Sequence, residues 1–455
     1  MFCSPKICMA IGCLGLAATS AAAQTNKHVL HAWLAAYNTG DPSVIRTFHS
    51  QYLHSSDIAF ALDSREETGG FRLEKIESDE PEHLSALVHE RDFPARWRVT
   101  ITREGSLPKL AYLPVPMSQR RAIAALDAFA TKLSARDKFS GVVVIAQRGR
   151  TLLGKAWGLA DRSRRIPVTL DTPFLFASQG KMFTAVAVLQ LVAEGKLALD
   201  DPVGRYLTDY PNREVAQKVT IRHLLTHQGG TGEMGILEPQ DTHNRETVRS
   251  IADIIKLNDG RGPAFEPGSK WEYSNYGYVL LGAVIEKVSG QSFYDYIKAD
   301  VFQPAGMTNT DYPLREGMSG TAVGYTKPDG EALRESTDQL PWRGTPAGGG
   351  VSTAGDMMRF IAALNAGKLI PLNLLGEATK KQTSWYGYGF ISSDFKGFPY
   401  WGHGGGAPGN SLVLDYYPVT DTTFICMSNR DPPICDRLAF NYLFRSARTD
   451  LEVPP

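Results

Sequence analysis

Phe174-Leu175-Phe176-Ala177-Ser178-Gln179-Gly180-Lys181 opens the stretch on which the fold turns, and Met182-Phe183-Thr184-Ala185-Val186-Ala187-Val188-Leu189-Gln190-Leu191-Val192-Ala193 continues it. The continuation has no breaker and is apolar almost all round, which predicts a helix buried in a large domain. Glu194-Gly195-Lys196 ends it, with Gly195 suited to a C-terminal cap. Asp171-Thr172-Pro173 reads as a turn ahead of it. Ser178 and Lys181 are three apart, so on a helix they stack on one face. A Ser at a helix start is usually a cap and a Lys beside it is usually solvated. Two facts argue for more. A cation is the wrong charge for a helix N-terminus. A Lys leading into an apolar run must find water or a partner. Partial burial lowers a lysine's pKa until it can take a proton from a neighbouring hydroxyl. A Ser with such a neighbour is an activated nucleophile.

Working outward, 455 residues exceed one average domain and predict two units. The formal net charge of +0 and the absence of a basic stripe argue against a nucleic-acid partner. Residues 1–23 read as a signal peptide: Lys6 gives the positive start, Ile7 to Ala18 is apolar, and Ala21-Ala22-Ala23 offers a cleavage site before Gln24. The apolar run is too short for a membrane span, and no later segment is long enough. A lipid anchor on Cys13 is the weaker reading, because Ala10-Ile11-Gly12 is a poor preceding motif. The expected location is therefore periplasmic or secreted. Cys3, Cys8 and Cys13 would leave with the leader. Cys426 and Cys435 remain, as a disulfide or as two buried thiols; the sequence does not choose.

Residues 24–113 form the expected first unit. Val29, Leu30, Trp33, Leu34 and Tyr37 mark a helix that Asn38-Thr39-Gly40 stops, and Asp41-Pro42 opens a second. Alternation then predicts strands through Phe71, Leu73 and Lys75, through Leu84, Ala86 and Val88, and through Trp97, Val99 and Ile101. This α+β unit resembles the SnoaL-like cone fold and is read as an accessory domain. His28 and His31 suit a solvated face better than a metal site. Pro108, Pro114 and Pro116 mark a linker, set at 114–119, before a domain at 120–455.

That domain begins with a helix from Ser118 to Asp137, carrying Ile123, Leu126, Phe129 and Leu133 on one face. A strand over Gly141–Gln147 and a return over Leu152–Leu159 follow. Strands resume at Trp385–Ile391, Pro399–His403, Leu412–Tyr417 and Thr422–Met427, and Cys435–Arg445 closes as a helix. The fold class is thus α/β: an antiparallel sheet begun before Ser178 and completed long after it, flanked by helices, with a helical insertion between. Thr220–His227 is a short capped helix starting after the turn at Leu199–Pro202. Its His223 and His227 lie four apart without a carboxylate or cysteine at zinc spacing, so packing explains them better than metal.

Two further stretches carry polar chemistry. Trp271-Glu272-Tyr273-Ser274-Asn275-Tyr276-Gly277 puts Tyr273 and Asn275 two apart on an expected loop, a proton carrier and an amide able to hold a carbonyl. Trp401-Gly402-His403-Gly404-Gly405-Gly406-Ala407-Pro408-Gly409 allows a ligand close to the backbone. Free N–H groups there, with that of Ser178, would make an oxyanion hole. Alone, each is an ordinary polar loop or turn.

In this order, Ser-x-x-Lys, Tyr-x-Asn and His-Gly-Gly resemble the serine β-lactamase-related family, over roughly residues 120–447. That family includes class C β-lactamases, D-aminopeptidases, DD-carboxypeptidases and family VIII esterases, on the β-lactamase/penicillin-binding-protein fold. The resemblance implies Ser178 as acylated nucleophile, Lys181 and Tyr273 as the proton-handling pair, and Asn275, His403, Gly404, Gly405 and Gly406 in substrate binding. Gly406 would share the oxyanion hole with Ser178, and no cofactor or metal is implied. The partner would be a small-molecule or peptide substrate. His403 stands where class C enzymes carry Lys, and a His is mostly neutral near pH 7. That favours esters or amides over β-lactams. A class C-type β-lactamase or D-Ala-D-Ala carboxypeptidase is the alternative, and a weakly active cell-wall-fragment binding module is another. His227-Gln228-Gly229-Gly230 replaces a frequent His-Thr-Ser-Gly, expected to reshape a rim. No Gly-x-Ser-x-Gly elbow occurs.

Overall fold

The computed structural model describes residues 25–446 apart from 106, 238–240, 329, 330 and 396. The expected leader, with Cys3, Cys8 and Cys13, lies outside the described residues. The chain divides into two compact units between Val115 and Pro116.

In the first unit, α1 (Asn26–Thr39), α2 (Pro42–Phe48) and α3 (Ala59–Thr68) precede β1 (Phe71–Glu80), β2 (His83–Glu90), β3 (Arg96–Glu104) and β4 (Leu107–Pro114). Asp41 caps α2 by accepting from Ser43 N at 2.7 Å, with Pro42 at the first helical position. The strands form an antiparallel sheet in sequence order. Leu84, Ala86 and Val88 of β2 meet Trp97, Val99 and Ile101 of β3 in a core that Trp33 and Tyr37 of α1 complete. Pro108 sits within β4 rather than in a linker. β4 is an edge strand, where a missing N–H goes unfelt.

In the second unit, α4 (Gln119–Ala135) buries Leu126, Phe129 and Leu133, with Ile123 half-buried. The central sheet has six antiparallel strands, ordered Ile391–Phe395, Phe398–Ala407, Asn410–Tyr417, Thr422–Ser428, β5 (Gly141–Gln147) and β6 (Arg150–Trp157). Helices flank it, and a mostly helical stretch with a few two- and three-residue strands separates β6 from the late strands. Two strand expectations shift. β6 ends at Trp157 because Gly158 turns away in the left-handed region at φ 75°. Trp385–Phe390 is not a strand: its aromatic/glycine alternation imitates one, but a Cβ at Gly387 would stand 2.0 Å from Ala378 O, and Gly389 has φ 79°.

Helix α5 (Gly180–Ala193) lies in the core, with Phe183 edge-on to Phe176, Phe302 and Phe360. A single 3₁₀ turn, Ala177–Gln179, leads into it, so Ser178 precedes the α-helix proper. Gly195 follows it in the left-handed conformation expected of a cap. Cys426 and Cys435 are joined as a disulfide with Cα atoms 5.5 Å apart, which decides between the two cysteine readings. Among the described residues no helix is long and apolar enough to cross a membrane.

Candidate active site

The 3₁₀ turn lifts Ser178 to the floor of a cavity of about 390 Å³. Ala177 before it has φ 41°, a costly conformation for a residue with a side chain. The surroundings hold it there. Gly349 N–H donates to Ala177 O at 3.2 Å, Phe176 N–H donates to Gly350 O at 2.9 Å, and Gly348 lies so close that a Cβ would stand 1.9 Å from Ala177 O.

Ser178 Oγ has two polar neighbours. Tyr273 OH donates to it at 2.8 Å, and Lys181 Nζ lies 3.3 Å away. Lys181 is 0% exposed. Its Nζ donates to Asn275 Oδ1 at 2.7 Å and to Ala347 O at 2.8 Å. Burial pulls its pKa from 10.5 down to about 7, against the opposing pull of the Glu233 carboxylate. Burial pushes the Tyr273 phenol the other way, above its ordinary value, so Tyr273 stays protonated. Asn275 is not on a loop. It is the first residue of the helix Asn275–Ser289, which Ser274 caps by accepting from Gly277 N at 2.9 Å. Its Nδ2 donates to Glu233 Oε2 at 2.7 Å, so the amide links lysine to carboxylate.

The third expected stretch divides. Gly406 lines the cavity beside Ala407 and Pro408. His403, Gly404 and Gly405 do not. Side chains alternate along a strand, so His403 and Gly405 share one face. Gly405 packs against Ala177, where a Cβ would stand 3.1 Å from Phe176 O. His403 is buried at 4% exposure. Its Nδ1 is 2.5 Å from Gly404 O, an acceptor, so Nδ1 carries the proton and Nε2 accepts from Tyr386 OH at 2.8 Å. Burial and the Lys181 charge push its pKa to about 3, so it is neutral near pH 7. Gln179 Nε2 donates to His403 O at 3.1 Å and ties this strand to the nucleophile turn.

His227 is also buried. Its Nδ1 accepts from Ser274 N at 3.1 Å and its ring centroid lies 4.3 Å from that of Tyr273. His223 Nδ1 accepts from Thr220 N at 3.3 Å in a capping box, and His28 Nε2 meets Tyr52 OH. These imidazoles are committed to packing and caps, and no group able to hold a metal gathers among the described residues. Sequence reading missed Glu233 and the Ala347–Gly350 turn. The run Gly344-Thr345-Pro346-Ala347-Gly348-Gly349-Gly350 carried a signal, since glycines mark close backbone approach.

Leu175, Met234, Leu237, Met318, Leu340 and Pro341 give the cavity apolar walls, and no charged side chain is among its described lining residues. A buried amine beside a hydroxyl, with a phenol on its far side, can deprotonate that hydroxyl and hand the proton on.

The beta-lactamase family model matches residues 126–446. Penicillin-binding protein 4* of Bacillus subtilis is 33% identical over 66% of this chain and 70% of its own length. Esterase EstB of Burkholderia gladioli is 32% identical over 62% of this chain and 78% of its own. A solved penicillin-binding protein from Bacillus halodurans is 30% identical and superposes with a TM-score of 0.62 over 67% of this chain and 97% of that one. With the family's span enclosing the buried Lys181 and the hydroxyl it faces, the chain belongs to the β-lactamase family as a serine hydrolase of the β-lactamase/penicillin-binding-protein fold.

Proposed function

We propose that the protein is an exported hydrolase that cleaves esters or amides with apolar acyl groups through an acyl-enzyme on Ser178. The observation that carries this is the set of neighbours around Lys181 Nζ. Two are carbonyl oxygens, which only accept, and the third is Ser178 Oγ. A neutral amine has two N–H bonds for the carbonyls and one lone pair for the serine proton. That arrangement supports the reading of Lys181 as the base and of Tyr273, a protonated phenol, as the proton carrier. The Ser178 proton passes to Lys181 Nζ as Oγ bonds to the substrate carbonyl carbon. The carbonyl oxygen takes the negative charge against the N–H groups of Ser178 and Gly406. The carbon–leaving-group bond then breaks, and the leaving group gains the proton through Tyr273 OH. Water repeats the sequence and frees the acid.

The alternative, a β-lactamase or D-Ala-D-Ala carboxypeptidase, takes substrates bearing a carboxylate. The described cavity lining offers no cation for one, and His403, in the position where a Lys would serve, is neutral and turned away. The name of the esterase relative fits the ester reading. Export is read from Lys6, Ile7–Ala18 and Ala21–Ala23, and the Cys426–Cys435 disulfide suits an oxidising compartment. We read residues 24–113 as an accessory unit of the SnoaL-like cone type, supported by helices followed by a four-stranded meander; a purified chain lacking it that hydrolysed nothing would contradict the accessory role.

The direct test offers purified protein a p-nitrophenyl ester, a chromogenic cephalosporin and a D-Ala-D-Ala peptide. Ester turnover should dominate, and Ser178→Ala should abolish it. Turnover that survives Ser178→Ala contradicts the nucleophile; an acyl adduct on Ser178 that never turns over supports a binding module instead.

A further inference from the structure

His227 is held in the left-handed region at φ 60°, an uncommon conformation for a residue with a side chain, and it is 1% exposed. Its Nδ1 accepts from Ser274 N–H at 3.1 Å, so the ring proton is on Nε2, and Nε2 has no hydrogen-bond partner among the described residues. A left-handed backbone and a buried donor without a partner are both destabilising. Each persists only where the surrounding structure fixes it. Here the surroundings are one short segment. His227 O accepts from Glu272 N–H at 2.9 Å, and Nδ1 accepts from Ser274 N–H. The residue between those two amides is Tyr273. The imidazole also lies against the phenol, with ring centroids 4.3 Å apart and planes at 34°. Tyr386 and Tyr278 hold the imidazole in turn, at centroid distances of 4.7 and 5.2 Å. One residue therefore fixes the backbone on both sides of Tyr273 and a face of its ring, and Tyr273 OH stands 2.8 Å from Ser178 Oγ.

We propose that His227 is a positioning residue for proton delivery to the leaving group: it aims the Tyr273 phenol and touches no substrate itself. The role rests on the hydrolase reading above, in which Tyr273 carries that proton. His227 is not among the described residues lining the cavity, so it acts through the tyrosine. Packing alone does not call for an imidazole, because a phenyl ring would fill the same space; the Ser274 N–H does, because it needs an acceptor. The imidazole must also stay neutral. Protonated on both nitrogens it would have no lone pair for Ser274 and would set a second cation near Lys181. Burial, and the Lys181 charge after it, push its pKa well below the ordinary 6.5, so the lone pair on Nδ1 is kept through the working range. A phenol that shifts by a fraction of an ångström loses its line to the breaking bond.

The test compares ethyl butyrate with p-nitrophenyl butyrate by kcat/KM, which for an ester ends at the acyl-enzyme. Both give the same acyl group. p-Nitrophenolate leaves as a stable anion, whereas ethoxide needs a proton as its bond breaks. His227→Asn puts Oδ1 near the place of Nδ1 and tolerates a positive φ, but removes the ring from the phenol. It should lower kcat/KM for ethyl butyrate by about tenfold or more beyond its effect on p-nitrophenyl butyrate, a part of the about 10²–10⁴-fold that a positioned acid supplies. In a Tyr273→Phe background no phenol proton is left to aim, and His227→Asn should leave the ratio of the two rates unchanged. A purely structural residue would slow both esters alike in either background. An equal fall for both esters, or a change of ratio that persists with Tyr273→Phe, overturns the assignment. Should His227→Asn not fold, His227→Phe, which keeps the ring and loses the acceptor, is read in the same way. Wild-type protein that hydrolyses p-nitrophenyl butyrate alone delivers no proton to a leaving group and overturns the role while the hydrolase reading stands; hydrolysis of neither ester sinks that reading itself.

Discussion

Lys181 Nζ sits among Asn275 Oδ1, Ala347 O and Ser178 Oγ, fully enclosed, and this is an expensive place for a charge. The folded pKa of about 7 lies below the ordinary 10.5, so the fold disfavours the ammonium. Linkage gives the sign. Below about pH 7 both folded and unfolded chains hold the proton, and the penalty is fully present, up to about 5 kcal/mol. As pH rises from about 7 toward 10.5 the folded chain has released its proton and the unfolded chain has not, so stability climbs and the penalty disappears. Lys181→Met removes that penalty but leaves two carbonyl acceptors unpaired, about 1–3 kcal/mol each. The Tm of the variant relative to wild type should therefore be highest at acidic pH and should decline from pH 7 to 10; a pH-independent difference would mean Lys181 is not depressed. Ser178 and Lys181 stood out at this scale because their residue types and spacing are chemically unusual ahead of an apolar helix, whereas Tyr273 entered only through the family resemblance. Glu233 was not, since one acidic residue in a loop looks like any other. His403 was placed in substrate binding by the resemblance alone; strand alternation turns it inward with Gly405, off the cavity lining.

Among the elements, the turn Ala347–Gly350 matters as much as helix α5. It supplies the carbonyl that fixes Lys181 and braces Ala177 at φ 41°. Gly348 itself has φ 137° and no room for a methyl, 1.9 Å from Ala177 O. Gly348→Ala should cost about 1–3 kcal/mol of stability through backbone displacement and lower kcat well beyond any change in KM, because the displaced atoms carry the nucleophile. Denaturant unfolding and steady-state kinetics check both; an unaltered kcat would show that the turn does not position Ser178. Helix α5 was readable because a long apolar run without breakers has one outcome in a large domain. The strand placed at Trp385–Ile391 was not, because period-two aromatics describe a strand and a glycine-kinked turn equally well. Two positive-φ or crowded glycines, invisible to periodicity, decide it. Asn275 was assigned to a loop for a related reason: Ser-Asn after an aromatic reads as turn chemistry, and only the apolar run of Val279–Ile285 behind it makes Ser274 a cap.

For the whole molecule, the sheet is closed by strands far apart in the chain: Thr422–Ser428 pairs with β5 at Gly141–Gln147. This joining was legible as two half-sheets, and the division near residue 115 as a change of pattern between prolines. The disulfide was not, because two cysteines nine apart state a possibility and not a geometry; here Cys426 faces Cys435 across the strand-to-helix junction. If the protein is exported as proposed, the mass of the chain recovered from the periplasm or medium should correspond to a start at Gln24 and to two hydrogens fewer than the reduced form. A chain retaining Met1, or one with two free thiols, would contradict export into an oxidising compartment. The proposed chemistry requires Lys181 to take the proton of Ser178 while neutral, and the pH dependence of kcat/KM for a p-nitrophenyl ester measures that in the intact enzyme. The prediction is an acid limb in which activity falls about tenfold per pH unit below a midpoint near 7; a rate flat through that range, or a midpoint left near the ordinary lysine value of 10.5, would contradict it.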